Sequence, residues 1–177
     1  PVAADMTTAA EEDGPAITVP FDADDVDNND NQRSLGYALL TTPAQGSITQ
    51  IADGKFTYDV RSAFQDLGVG QTRSVFFDYR ATDTHGASDT GRVEIVVSGV
   101  NDAPVAVLDT FSTDQLTALN RAAPGLLAND RDVDGNDSIR VVRLDGVSGL
   151  VGTSTLGAAV TLNANGIRAA AQKGFFE

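Results

Sequence analysis

The chain has 177 residues, is 41% apolar, carries 25 acids against 12 Lys and Arg for a net charge of −13, and contains no cysteine. This composition is enough for packed cores and leaves no disulfide to compensate for a weak one, while the acidic balance disfavours nucleic acid, whose phosphates need clustered Lys and Arg. No run approaches the roughly 18 apolar residues of a membrane span, so no membrane insertion is expected, and a secreted origin would need excision from a longer chain or an export signal elsewhere.

In chain order, residues 1–16 read as an extended edge or linker leading to Asp13-Gly14-Pro15. Ile17 to Phe21 alternates apolar and polar positions, the period of a half-buried strand. An acidic loop follows, with five carboxylates in the nine residues Asp22 to Asp30. Leu35 to Thr42 predicts a second strand, stopped by Pro43. Ser47 to Ile51 and Lys55 to Val60 predict a hairpin, because Asp53-Gly54 supplies the positive φ angles of a tight turn. Arg61 to Leu67 has the spacing of one or two helical turns. Thr72 to Thr82, with Val75, Phe77 and Tyr79 on one alternating face, predicts a long core strand, and the turn through His85-Gly86-Ala87 hands over to another at Arg92 to Val100. The plan then restarts: strands are expected at Val105 to Phe111 and Ile139 to Leu144, a helix at Asp114 to Ala123, and a hairpin at Asn163-Ala164-Asn165-Gly166. About six or seven short strands closed by turn residues predict an antiparallel β-sandwich for the first stretch, and an all-β chain.

An internal repeat divides the chain. Pro1-Val2-Ala3 recurs as Pro104-Val105-Ala106, 103 residues later, and Asp22-Ala23-Asp24-Asp25-Val26-Asp27 has its counterpart in Asn129-Asp130-Arg131-Asp132-Val133-Asp134. Val100-Asn101-Asp102-Ala103-Pro104 is the hinge, since Pro104 forces an extended exit. The expected domains are therefore residues 1–103 and residues 104–177, with net charges of −11 (17 acids, 6 bases) and −2 (8 acids, 6 bases). Nothing after Gly166 matches Lys55 to Val100. By the repeat length the second module would need about 25 further residues, which predicts an incomplete fold or an open edge that another chain, as in a dimer, would cover.

Asp130-Arg131-Asp132-Val133-Asp134-Gly135-Asn136-Asp137 carries the chemistry. Carboxylates at positions one, three and five with Gly at six let a short loop wrap oxygens round one hard cation. The twelfth position is Val141 where an EF-hand needs a bidentate Glu, so the reading is a calcium loop completed from elsewhere, against an acidic turn that holds no ion. Glu11, Glu12, Asp83, Asp89, Asn101 and Asp102, all at expected strand ends, are the oxygens available. A cluster of this kind would stiffen the junction.

Gly99-Val100-Asn101-Asp102-Ala103-Pro104-Val105, Leu127-Ala128-Asn129-Asp130-x-Asp132-Val133-Asp134-Gly135, Gly54-x-Phe56-Thr57-Tyr58-Asp59 and Ala81-Thr82-Asp83-x-His85-Gly86-Ala87-x-Asp89-Thr90 together resemble the bacterial cadherin-like and VCBS-type repeats of large secreted adhesins. The resemblance implies tandem Ig-like or cadherin-like Greek-key β-sandwiches, the second one truncated, at a bacterial cell surface, with calcium as the bound ion. The ligand roles it implies fall on Glu12, Asp25, Asp27, Asp83, Asp102, Asp114, Asp130, Asp132 and Asp134, to which Asp89, Asn101 and Asp137 are added from their positions. The first acidic loop departs from the pattern, with Asn28-Asn29 where Gly is expected. Some secreted rhizobial-adhering (Rap) proteins resemble this two-module arrangement and act as calcium-dependent lectins, which implies an acidic polysaccharide or other cell-surface glycan as partner, in adhesion or biofilm.

An enzyme is not expected. His85 has no obvious Ser or Cys nucleophile to pair with, and a turn role explains it better than general-base work. Tyr37, Tyr58 and Tyr79 fall within strand patterns and read as core, not as a sugar-stacking platform. Two functions fit: a calcium-dependent adhesin that binds polysaccharide, and a spacer repeat in which calcium only rigidifies the chain.

Overall fold

The computed structural model describes residues 1–27, 34–52, 54–113, 117–141, 143–144, 147–148, 151–153, 159–163 and 166–169. The chain divides into two compact units, one of residues 1–102 with 134–136, the other of residues 103–133 with 137–177. Among the described residues the structure is all-β, with a single 3₁₀ turn and no α-helix.

The first unit contains β1 (Val2–Ala3), β2 (Met6–Glu11), β3 (Ile17–Pro20), β4 (Ala23–Asp24), β5 (Gly36–Leu39), β6 (Ser47–Ala52), β7 (Lys55–Asp59), β8 (Thr72–Thr82) and β9 (Ser88–Ser98). They form a four-stranded sheet in the order β2-β9-β8-β5, a three-stranded sheet β3-β7-β6, and a short β1-β4 pair. The long β8–β9 hairpin is antiparallel from Thr72↔Ser98 to Thr82↔Ser88, and its register places Val75 opposite Ile95 and Phe77 opposite Val93. Because side chains alternate along a strand, this register delivers Val75, Phe77, Tyr79 and Ala81 to the same face as Val93, Ile95 and Val97, and all seven are buried. The three-stranded sheet supplies Val19, Phe56 and Tyr58 to the same core cluster. At its centre Phe21 stacks on Tyr79 with ring centroids 4.0 Å apart and planes at 15°, and meets Phe56 at 4.0 Å. The predicted β6–β7 hairpin forms, with Gly54 at φ +66° where a side chain would be strained.

Three expectations for this unit change. Of the extended edge or linker expected over residues 1–16 the edge forms, since Met6–Glu11 is the edge strand beside β9, but the pairing is parallel, so the sandwich is not wholly antiparallel. The alternation of β2 is real, with Ala10 inward, but Thr and Ala bury too little surface to advertise it. Among the described residues the unit has nine strands where six or seven are expected, the additions being the two-residue β1 and β4 and the six-residue β2. Arg61 to Leu67 forms turns, with Ala63 donating to the Val60 carbonyl and Leu67 to that of Phe64. Val60, Phe64 and Leu67 have helical spacing, but they reach the core from two successive turns, Val60 from the first and Phe64 and Leu67 from the second, and Arg61 adopts φ +51°.

The second unit contains β10 (Leu119–Arg121), the 3₁₀ turn Gly125–Leu127, β11 (Arg143–Leu144), β12 (Val147–Ser148), β13 (Val151–Thr153), β14 (Ala159–Asn163) and β15 (Gly166–Ala169). Its larger sheet has the order β10-β15-β14-β13. The helix expected over Asp114 to Ala123 is contradicted by β10, which runs antiparallel to β15: pairing in a sheet supplies the backbone hydrogen bonds that Thr117 and Asn120 would weaken in a helix. The strand expected over Val105 to Phe111 reduces to one bridge, Val105↔Arg131, and Ile139 to Leu144 to Arg143–Leu144. The hairpin expected near Gly166 is present, with Asn163 opposite Gly166.

Candidate metal centre

Three segments of the first unit meet at one end of its long hairpin. β2 ends at Glu11, and the next residue, Glu12, is held by its own N–H donating to the Ser98 carbonyl at 3.0 Å, an extension of the β2–β9 ladder. That contact turns the Glu12 side chain inward, to 1% exposure. Its Oε1 accepts the Val100 N–H at 2.7 Å, whereas its Oε2 is buried with no hydrogen-bond donor. Asp102 lies just beyond β9, and its N–H donates to Asp134 Oδ2 at 3.0 Å, with Asp134 4% exposed. One carboxylate oxygen from each of Glu12, Asp102 and Asp134 lies within 4.8 Å of the others. No other group of three or more acidic, His or Cys side chains with that spacing occurs among the described residues.

The arrangement is costly without a counter-charge. Burial lifts the Glu12 carboxyl above its usual range; the Val100 N–H pulls it back, while Asp102, Asp13 and Asp134 push it further up. An unpaired carboxylate in such a place costs several kcal/mol, of order 1–3 or more, because its water is gone and nothing replaces it. A cation removes that cost. Two oxygens on one Ca²⁺ are each about 2.4 Å from it and so at most about 4.8 Å from each other, which is the span these three achieve. The donors are all hard oxygens, with no His or Cys, which suits calcium or magnesium over zinc or copper. Three carboxylates leave further positions of a six- to eight-coordinate ion to carbonyls and water.

The remaining predicted ligands are distributed elsewhere. Asp25 accepts the Asp27 N–H at 2.9 Å through Oδ1. Asp27 is exposed. Asp83 Oδ1 accepts the N–H groups of His85 and Ala87 at 2.8 and 2.9 Å, making it the organiser of the β8–β9 turn. Asp89 Oδ2 takes the Ala3 N–H at 2.9 Å, and that bond lowers its pKa. Glu11 and Asn101 are exposed, the latter donating its side-chain amide to the Asp102 carbonyl. Asp130 Oδ1 accepts the Val107 N–H at 2.8 Å, Asp132 is half-buried, and Asp137 is exposed. Asp114 lies outside the described residues. The carboxylate of the second acidic loop that joins a shared group is thus Asp134, in company with Glu12 and Asp102. Sequence reading missed the surroundings of this group: the Val100 N–H, and the loop containing Asp66, whose carbonyl accepts the Gly135 N–H at 3.2 Å. Backbone donors and acceptors carry no side-chain signal. Tyr37, Tyr58 and Tyr79, at 8%, 0% and 0% exposure, are core.

Residues 1–99 match the family model for the bacterial cadherin-like domain, and residues 101–176 that for the bacterial Ig domain. No curated protein matches the chain. Among solved structures it is similar to "Protocadherin gammaB7 EC3-6 cis-dimer structure", with 14% identity and a TM-score of 0.40, over 67% of this chain and 26% of that one. Domains of these two families occur in extracellular or surface proteins and are typically structural or adhesive, and among the described residues no helix is long and apolar enough to cross a membrane. With the first match covering more than half of the 177 residues, the chain belongs to the bacterial cadherin-like domain family.

Proposed function

We propose that the chain is an extracellular repeat module that binds calcium through Glu12, Asp102 and Asp134, and that the ion serves structure: it fixes three segments far apart in sequence at one end of the first unit. The observation that carries this reading is Glu12, 1% exposed, with an orphaned oxygen and two further carboxylates grouped with it. Calcium neutralises that charge and supplies the missing partner. A spacer repeat follows directly from such a site. Polysaccharide binding, implied by the likeness to calcium-dependent lectins, draws less support from the site, whose Glu12 and Asp134 are 1% and 4% exposed. Burial of all three tyrosines removes them as a stacking platform as well.

Thermal melting with calcium, with magnesium and with chelator tests the proposal. At a calcium concentration a hundredfold above Kd a single site stabilises by roughly 2.7 kcal/mol, or about 2–4 °C per kcal/mol for a chain of this size. A calcium-specific rise that disappears in Glu12→Gln is the expected result; coincident curves in all three conditions would refute it. Glycan binding that survives Glu12→Gln would place any lectin activity elsewhere on the molecule.

A further inference from the structure

The loop between β7 and β8 makes no predicted ligand, yet it braces two of the segments that do. The Asp66 carbonyl accepts the N–H of Gly135, the residue next to Asp134. Two residues on, Gly68 lies against the side chain of Asn136, whose Oδ1 would stand 1.9 Å from a Cβ added there. On its other side the loop carries Gln71, whose carbonyl accepts the N–H of Gly99, the residue before Val100. A Cβ at Gly99 would lie 2.1 Å from the Leu67 carbonyl oxygen. The loop is held by turn hydrogen bonds, such as that of the Leu67 N–H to the Phe64 carbonyl, and by a side-chain grip on Asp66. Arg73, on β8, grips the Asp66 carboxylate with both guanidinium nitrogens, at 3.1 and 2.6 Å, lies 5.9 Å above the buried Phe64 ring, and donates to Gln45 Oε1 at 3.3 Å.

Resting on the calcium reading above, we infer that Arg73 and Asp66 are positioning residues for the metal site: the fork sets the Asp66 peptide, whose carbonyl aims the Gly135 N–H and with it the Asp134 carboxylate at Glu12 and Asp102. Neither residue touches the ion. Arg is the side chain suited to this, because its planar fork fixes a carboxylate in orientation as well as distance, which a Lys ammonium does not.

Charge and position make opposite predictions here, which allows a clean test. If the pair acted on calcium only through its charge, Arg73→Gln would strengthen binding by removing a positive charge, and Asp66→Asn would weaken it by removing a negative one. A positioning role weakens binding in both, and also in Arg73→Lys, which keeps the charge and loses the fork. Calorimetric titration of calcium into the chelator-treated whole chain is the readout, with melting in chelator as the control for folding. The expected result is a loss of about tenfold in affinity in all three variants, the lower end of what outer-shell partners of a metal contribute, with melting in chelator moved by no more than roughly 4 °C because the pair is partly exposed. Opposite shifts for Arg73→Gln and Asp66→Asn, or affinities within twofold of wild type in Arg73→Lys, would overturn the inference while leaving the calcium site standing. Absence of calcium binding by the wild-type chain would instead overturn the calcium reading, and the positioning role with it.

Discussion

The first unit contains two buried regions that solve opposite problems. In the aromatic core, Phe21, Phe56, Phe77 and Tyr79 exclude water, and the polar ends that burial creates are matched from within: the Tyr58 hydroxyl donates to the Gln45 carbonyl at 2.9 Å, and the Tyr79 hydroxyl lies 2.7 Å from the carbonyls of both Ala4 and Asp22. At the carboxylate group, burial is as deep, but Glu12 keeps an oxygen that no donor reaches. The difference teaches that depth of burial alone does not distinguish a structural site from a binding site. A core closes its own hydrogen-bond account; a site for an ion leaves it open, to be completed from solvent.

Perturbations of the two regions should therefore separate by their response to calcium. The largest effect belongs to the core: Phe56→Ala, at 0% exposure, should cost about 3–5 kcal/mol through lost burial and the cavity left behind. Denaturant unfolding should show the same loss in calcium and in chelator; a loss seen only in chelator would mean the core depends on the ion.

Alkali tests the core's polar ends. Burial pushes the phenols of Tyr58 and Tyr79 up to about 12, and that of Tyr37 above its ordinary value of 10.0. A folded-state pKa raised above the unfolded one contributes stability that is fully present below pH 10 and is lost between 10 and about 12 as unfolding becomes the route to the phenolate. Ultraviolet titration should show tyrosinate appearing cooperatively with unfolding. Phenols that titrate near 10 with the fold intact would contradict the packing described for Phe21 and Tyr79.

At the carboxylate group the effect should shift with conditions. Glu12→Gln retains an oxygen for the Val100 N–H and removes a buried charge, so in chelator it should melt about as high as wild type or up to roughly 1–3 kcal/mol more stably. At a calcium concentration a hundredfold above Kd the difference should move against the variant by the roughly 2.7 kcal/mol that the ion contributes to the wild type alone, cancelling any advantage it has in chelator. A variant less stable than wild type in both conditions would make Glu12 a core residue and not a ligand.

The smallest effect is expected on the outer face of β8 and β9. Arg92 Nε meets Asp78 Oδ1 at 2.8 Å, with the Arg side chain 62% exposed, and Arg92→Gln should lower the melting temperature only slightly, an effect that vanishes in high salt. A larger loss, or one that tracks calcium, would tie this face to the metal site.

The core was largely legible in the sequence because its information is local. Period-two alternation in Thr72 to Thr82 marked Val75, Phe77 and Tyr79, and Gly54 marked the turn that brings Phe56 opposite Gln50. Legibility failed where apolar signal was thin or ambiguous: the small side chains of Met6–Glu11 concealed a parallel strand, and Val60, Phe64 and Leu67 imitated helical spacing in a run of turns. At the candidate metal site, the acidic residue types were evident, but their selection was not. Asp130, Asp132 and Asp134 offer equal chemistry in sequence, while the structure gives the Val107 N–H to Asp130 and places Asp134 with Glu12 and Asp102.

By itself, then, the sequence determined what the chain is made to do locally: strands where apolar residues alternate, turns where Gly and Asp permit them, an acidic surface, and oxygen ligands in excess. Only tertiary structure decided which of those oxygens lose their water together. Glu12, Asp102 and Asp134 are separated by 90 and 32 residues, and their convergence depends on β2 docking beside β9, on the Val100 N–H, and on the carbonyl of Asp66. Those are backbone contacts, available to any residue, and therefore written in no residue's identity.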